Sequence, residues 1–360
     1  MVKFIDEFRS KDLVKQLLKQ INEISKKEVA FMEVCGGHTM SIHKFGIPSL
    51  LPSNIKLLSG PGCPVCVSDK KFIDQSIAYA RLDDVIITTF GDLIRVPGST
   101  SSLEKEKAAG KNVKIVYSIL DAIKIAKENP SKKIIFLGIG FETTAPTTAA
   151  GIQKAASEKL HNFFVFSSHK IMPPAMAALI DEGVKLSGYI APGHVSTITG
   201  SKIYTDVAEK YKLACVIAGF EPVDILKSIY MLVKQVETNS PKVEIEYSRA
   251  VLPEGNIKAQ EIMADVFEFR DDWWRGLGIL ANSGLKISKK YKAFDAEENF
   301  VVEVEKTIEE KGCICGEILK GLKSPKDCKL FAKACSPLNP VGACMVSSEG
   351  SCHAHYKYSR

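Results

Sequence analysis

Gly60-Pro61-Gly62-Cys63-Pro64-Val65-Cys66 follows the short apolar run Ile55-Lys56-Leu57-Leu58 and precedes Ile73, Ile77 and Ala80 at i, i+4 and i+7. The first pattern suits a buried strand and the second a helical face, so two thiols lie where a strand turns into a helix. Gly60 and Gly62 are read as freeing the backbone of a tight turn. Pro64 suits the first helical position, where a missing N–H costs nothing. A thiol at a helix N-terminus feels the positive end of the dipole, which lowers its pKa and favours thiolate. Cys63 and Cys66 are therefore candidate catalytic thiols, able to attack a substrate or to close a small disulfide ring. The competing readings are half of a zinc site and a pair of buried thiols. A zinc site needs a second ligand pair of similar spacing, and none occurs between Met1 and Gly200.

Outward from this stretch the same arrangement recurs. Leu13, Leu17, Ile21 and Ile24 form a helical stripe, and the strand at 29–34 runs into Cys35-Gly36-Gly37-His38-Thr39. That puts a thiol and an imidazole at a strand's carboxyl end, the edge where open α/β sheets bind ligands. Downstream, apolar runs at 85–90, 113–117, 134–139, 163–166, 188–191 and 214–218 alternate with helical patterns. Several end in polar turns: Gly91-Asp92, Gly140-Phe141-Glu142-Thr143-Thr144-Ala145-Pro146, Pro192-Gly193-His194-Val195-Ser196 and Gly219-Phe220-Glu221-Pro222. Asp92 and Arg95 are expected to pair with each other or to line the same cleft. Glu142 and Glu221 stand at helix starts, where capping is the simpler role. The alternation predicts mostly parallel sheets with right-handed crossovers. The expected fold is two similar open α/β domains, residues 1–125 and 126–240, followed by a small irregular cysteine-rich domain, 241–360.

Composition removes several function classes. The net charge of +6 is spread through mixed runs such as Glu104-Lys105-Glu106-Lys107. No Arg-rich stripe with interleaved aromatics appears, so no nucleic-acid partner is expected. The absence of a signal-peptide pattern and of an apolar run of about 18 residues predicts a cytoplasmic protein with no membrane partner. Gly138-Ile139-Gly140 is not a dinucleotide loop: Thr143 replaces the third glycine, and Glu142 puts negative charge where a pyrophosphate would sit. A phosphate-cradling G-x-x-x-x-G-K-[ST] loop is also missing.

Ten cysteines without a secretory signal point to metal or redox chemistry. Six of them, Cys313, Cys315, Cys328, Cys335, Cys344 and Cys352, crowd the C-terminal end. Their gaps are too wide for the two short pairs of a zinc ribbon. Four thiolates around an iron–sulfur cluster, with two left over, fit the count better.

Taken together, Cys35-Gly36-Gly37-His38-Thr39, Gly60 to Cys66, Gly140 to Pro146, Pro192 to Ser196 and the stretch from Gly342 to Cys352 resemble the HypD family of [NiFe]-hydrogenase maturation. The match spans nearly the whole chain in order. The resemblance implies a scaffold that assembles the Fe(CN)2CO unit of the hydrogenase active site, with a small HypC-like chaperone and a HypE-like carrier of cyanide. It implies two similar α/β domains and a third holding a [4Fe-4S] cluster. The cluster surroundings are similar to those of ferredoxin:thioredoxin reductase, with cluster, thiol pair and target thiols in series. By that analogy Cys313, Cys328, Cys335 and Cys352 hold the cluster, and Cys315 and Cys344 form a redox relay.

The resemblance also makes Cys35 the ligand of the iron that carries CN and CO, with His38 beside it as ligand or proton donor. Thiolate is the softest side-chain donor and suits such an iron. Glu142 and His194, in shared motifs, join Cys63, Cys66 and His38 as candidate catalytic residues. The alternative is a freestanding iron–sulfur thiol-disulfide reductase, with Cys63 and Cys66 as the whole active site and Cys35 incidental. The Cys35-Gly36-Gly37-His38 turn favours the scaffold, because a reductase has no need of it.

Overall fold

In the computed structural model, which describes residues 6–358, the strand and helix alternation builds two separate sheets. The strands are β1 (Val29–Glu33), β2 (Ile55–Ser59), β3 (Val85–Thr89), β4 (Val113–Ile115), β5 (Lys133–Gly140), β6 (Phe163–Lys170), β7 (Gly188–Pro192), β8 (Ala214–Ala218), β9 (Val243–Ile245), β10 (Phe267–Trp274) and β11 (Gly278–Ile287). The first sheet has the order β2-β1-β7-β8-β9 and is parallel throughout. The second has the order β10-β11-β6-β5-β3-β4, antiparallel only where the β10–β11 hairpin joins β6. The α/β class with two mostly parallel sheets is as the sequence predicts.

The boundary expected at residues 125/126 does not separate these sheets. β3 and β4 lie with β5 and β6, while β7 returns to pair with β1. Residues 241–287, expected in the irregular C-terminal domain, instead add β9 to one sheet and the hairpin to the other. A crossover brings the chain back to the same end of a parallel sheet. An apolar run buried on both faces says only that some strand flanks it, not which one. A continuous core between the sheets binds Met32, Tyr189 and Ile217 of the first to Ile87 and Leu137 of the second, and both to Ile318 and Met345 near the C-terminus.

Local signals set the helix ends around the site. Helix α1 (Lys11–Ile24) starts at Ser10, whose side chain accepts from Leu13 N–H, and α2 (Gly36–Lys44) starts directly after Cys35. The single helix expected beyond Pro64 is two: α3 (Pro64–Val67) and α4 (Lys70–Arg81). Ser68 and Asp69 are extended, and Asp69 Oδ1 accepts the Lys71 N–H at 2.9 Å as the cap of a fresh helix. Among the described residues no helix is long and apolar enough to cross a membrane.

Candidate functional site

The carboxyl ends of both sheets face one cleft of about 600 Å³. Its wall includes Cys35 after β1, Gly62 and Pro64 after β2, Asp92 after β3, Phe141 after β5, His194 after β7, and Glu349 from the C-terminal segment. This is the strand-end placement expected of an α/β ligand site.

Adjacency of β1 and β2, with Glu33 opposite Ser59, lays their following turns side by side. Gly36 N–H donates to Gly62 O at 2.9 Å, and Gly60 N–H to Glu33 O at 2.8 Å. The glycines serve close approach rather than unusual torsion, since neither Gly60 nor Gly62 has a left-handed φ. A Cβ on Gly62 would lie 2.3 Å from the Cys35 amide nitrogen, and one on Gly36 would lie 2.4 Å from Glu349 Cβ. Cys63 is the N-cap of α3, with Pro64 in the first turn as expected, and its Sγ accepts the Cys66 N–H at 3.3 Å. Cys63 and Cys66 are joined as a disulfide and are only 3% and 0% exposed.

Cys35 is half-buried. Burial, then the neighbouring Glu349 and Glu33, push its thiol up to about 12. A metal taken up here must displace the thiol proton, as thiolate ligation requires. Two carboxylates that the sequence reading left without a role flank it. Glu33 lies beneath, accepting from Thr39 Oγ1 at 2.7 Å and from Cys35 N–H at 3.4 Å, and burial raises it to about 8. Glu349 is raised by burial and then by Asp92. Its place in the Gly342–Cys352 motif was the only available signal.

Of the two expectations for Asp92 and Arg95, the pair does not form, and only Asp92 lines the cleft. Asp92 accepts from Ser347 Oγ at 2.7 Å, while Arg95 donates to the carbonyls of Pro337 (3.0 Å) and Val346 (3.4 Å). Both residues therefore fasten the C-terminal segment over the cleft.

His38 is fully buried, with Nε2 facing the carbonyl oxygens of Ala218 (3.2 Å) and Gly219 (3.0 Å). Two acceptors at Nε2 assign the proton to that nitrogen and leave the Nδ1 lone pair without a partner among the described residues. Burial holds the ring down at about 4. His38 is thus a neutral imidazole whose one proton is already held by backbone, which argues against the proton-donor role, and it is not among the residues of the cleft wall.

Phe220 stacks between His38 (4.5 Å) and His194 (4.0 Å), and His194 forms part of the cleft wall. Glu142 stands away from that wall. Its Oε1 accepts the Met172 N–H at 2.9 Å at the start of the next helix, Oε2 has no partner among the described residues, and burial raises it to about 7. Glu221 closes a capping box with Asp224 and also accepts from Arg9 at 2.8 Å. Glu221 thus caps its own helix as expected, whereas Glu142 takes the first N–H of a different helix, Met172–Asp181.

Cys313, Cys315, Cys328, Cys335 and Cys352 converge on one small cavity beside Leu330, Phe331 and Met345. The Sγ atoms of Cys313 and Cys315 are 3.3 Å apart. A Cβ on Gly342 would lie 2.6 and 2.7 Å from those sulfurs, so this glycine keeps the space open. Contact with Cys315, then burial, raises the thiols of Cys313 and Cys352. The donor set is entirely thiol, which suits an iron–sulfur cluster. Among the described residues no three His, Cys, Asp or Glu side chains already stand in metal-holding geometry. Cys344 is fully buried and outside the cavity wall. Its neighbour Ala343 brings a carbonyl oxygen to 4.0 Å from Cys66 Sγ, so the disulfide abuts the cysteine-rich segment.

A family model described as "HypD: Hydrogenase formation hypA family" matches residues 12–359. A Methanocaldococcus jannaschii protein, named provisionally as a hydrogenase expression/formation protein, is 49% identical over 97% of this chain and 98% of its own. Hydrogenase maturation factor HypD2 of Bradyrhizobium diazoefficiens and HypD of Azotobacter vinelandii are each 45% identical over 100% of this chain and 97% of theirs.

Proposed function

The chain belongs to the HypD family of hydrogenase maturation factors, and on that premise we propose that it is the scaffold on which the Fe(CN)2CO unit is assembled. The observation that carries this reading is the position of Cys35 on the cleft wall, with the turn that leads into Cys63 and Cys66 hydrogen-bonded to the backbone of Glu33 and Gly36 on either side of it. A soft ligand and a two-electron thiol pair then serve one substrate iron. Cys35 binds the iron as thiolate and loses its proton into a cleft walled by His194 and Glu349. A small HypC-like chaperone closes the cleft and shares the iron through a cysteine of its own, and a HypE-like protein delivers cyanide there, in the cytoplasm.

Opening the Cys63–Cys66 disulfide takes two electrons and two protons and leaves two thiols; closing it returns them to the assembly step. Cys315 and Cys344 pass the electrons on, the second through the segment that touches Cys66. A [4Fe-4S] cluster held by Cys313, Cys328, Cys335 and Cys352 supplies electrons one at a time when bound. The exposures of Cys63 and Cys66 count against the freestanding reductase, because a protein disulfide cannot reach sulfurs so covered.

Anaerobic purification separates the two readings. A scaffold brings down a small partner and iron beyond that of the cluster, and Cys35→Ala loses only that extra iron. Rapid turnover of generic disulfides, unaffected by Cys35→Ala, would instead identify a reductase.

A further inference from the structure

The chain segment that carries the C-terminal cysteines is rich in exposed lysine. Lys311, Lys323, Lys326, Lys329 and Lys333 are all exposed, and none of the five pairs with a carboxylate among the described residues. The other cations nearby are spent: Lys320 pairs with Glu182 at 2.6 Å, Lys70 with Glu310 at 3.6 Å and Arg275 with Glu309 at 3.0 Å. Within residues 311–333 only Glu317 and Asp327 oppose the five lysines, and Asp327 is committed to the Ser324 N–H at 2.7 Å.

The lysines are tied to the cavity by the chain itself. Lys311 is two residues from Cys313, Lys326 and Lys329 flank Cys328, and Lys333 is two residues from Cys335. Two residues span at most roughly 7 Å. Cys313 and Cys328 are only half-buried, and Cys328 Sγ lies 3.8 Å from the carbonyl oxygen of exposed Gly312. The exposed leucines Leu322 and Leu338, 57% and 96% accessible, add apolar contact to the same segment. The disulfide abuts this segment through Ala343, whose carbonyl oxygen is 4.0 Å from Cys66 Sγ.

From this juxtaposition we infer that the lysine-rich segment is the docking face for a small acidic protein that carries single electrons, an iron–sulfur or flavin carrier, which reduces the centre held by the C-terminal cysteines. The inference rests on the cluster reading above and adds the partner that feeds it. A brief encounter of this kind needs only a small interface, and its speed comes from opposite charge, which raises association rates by roughly 10 to 1,000-fold at low salt. The carrier hands over one electron per encounter and leaves oxidised by one; two encounters open one disulfide, with two protons taken from solvent.

Stopped-flow reduction of the full, anaerobically purified chain tests this, with a reduced acidic plant-type ferredoxin as protein donor and a zwitterionic viologen as uncharged donor. The triple variant Lys326→Glu, Lys329→Glu, Lys333→Glu should slow reduction by ferredoxin at least about tenfold and leave the viologen rate unchanged. In the unaltered chain the ferredoxin rate should fall steeply with ionic strength, as screening shortens the reach of the lysines. Equal ferredoxin rates for variant and unaltered chain overturn the inference. If the variant also slows with viologen, its centre is damaged, and the salt dependence of the unaltered chain decides: a flat profile overturns the docking face. Salt-sensitive binding to phosphatidylserine vesicles, with a flat ferredoxin profile, overturns it in favour of a membrane. A chain without iron–sulfur absorbance overturns the cluster reading as well, so the two failures are distinct.

Discussion

Gly62→Ala puts a methyl group where the backbone of Cys35 already stands. The added Cβ would lie 2.3, 2.5 and 2.6 Å from Cys35 N, Cα and C. Ordinary contact is about 3.5–4.0 Å, so the two turns must separate by more than about 1 Å. Main chain at the end of a paired strand cannot swing aside as a long side chain does. Overpacking costs about 1–3 kcal/mol, and stretching the Gly36 N–H to Gly62 O bond adds up to about 1 kcal/mol. We expect a loss of about 3 kcal/mol, roughly two powers of ten in the folding equilibrium. Gly91→Ala is the control, because it lies near the same cleft with nothing closer than 3.9 Å and no left-handed φ. Urea unfolding of the three proteins, with alkylation of Cys35 as a local probe, measures both effects. Gly62→Ala with the stability of Gly91→Ala and unchanged Cys35 alkylation would refute the argument that the two turns are held in van der Waals contact.

The imidazole of His38 should stay neutral and protonated at Nε2 from pH 8 down to about 5, because burial holds its pKa at about 4; a ring ¹⁵N titration near 6.5 would contradict that. Burial raises Glu142 from 4.5 to about 7, so between those values the folded chain keeps a proton that the unfolded chain has released. Its contribution to stability is therefore lost as pH rises through that window. The stability of Glu142→Gln relative to the unaltered chain should climb from pH 4.5 to 7 and then level off, and a flat difference would sink the assignment. At the cysteine cavity, Cys328→Ser and Gly342→Ala should both bleach the brown chromophore, the second because its Cβ collides with two sulfurs. Cys315→Ser should keep the colour; if it bleaches while Cys313→Ser does not, the roles of those two cysteines are exchanged.

Much of the local structure was legible because each signal is carried by a few neighbouring residues. The apolar run at 55–58 and Pro64 mark β2 and the start of α3. What was not legible depends on partners far along the chain. Gly62 reads as a turn residue, whereas its constraint is the backbone of Cys35, placed beside it by the pairing of β1 with β2. The hairpin β10–β11 hides behind the polar run Arg270-Asp271-Asp272. Its attachment to β6 runs through buried Lys170, which reaches Asp272 at 3.0 Å and the Trp273 carbonyl at 2.8 Å. Trp274 is a packing residue, fully buried and donating to Ser283 Oγ at 2.9 Å. Cleft membership was readable for Cys35 and His194, which follow strands directly, but not for Glu349, which arrives from the other end of the chain.

The central claim is that Cys35 holds the iron. Infrared spectra of the anaerobically purified complex with its small partner test it most directly, because CN and CO stretches fall where protein does not absorb. The unaltered chain should show these bands. Cys35→Ala should still bind the partner, keep the brown chromophore and keep Cys63 and Cys66 able to form their disulfide, yet show no CN or CO bands. Bands of full intensity in that variant would contradict the account and move the iron to Cys63 or Cys66.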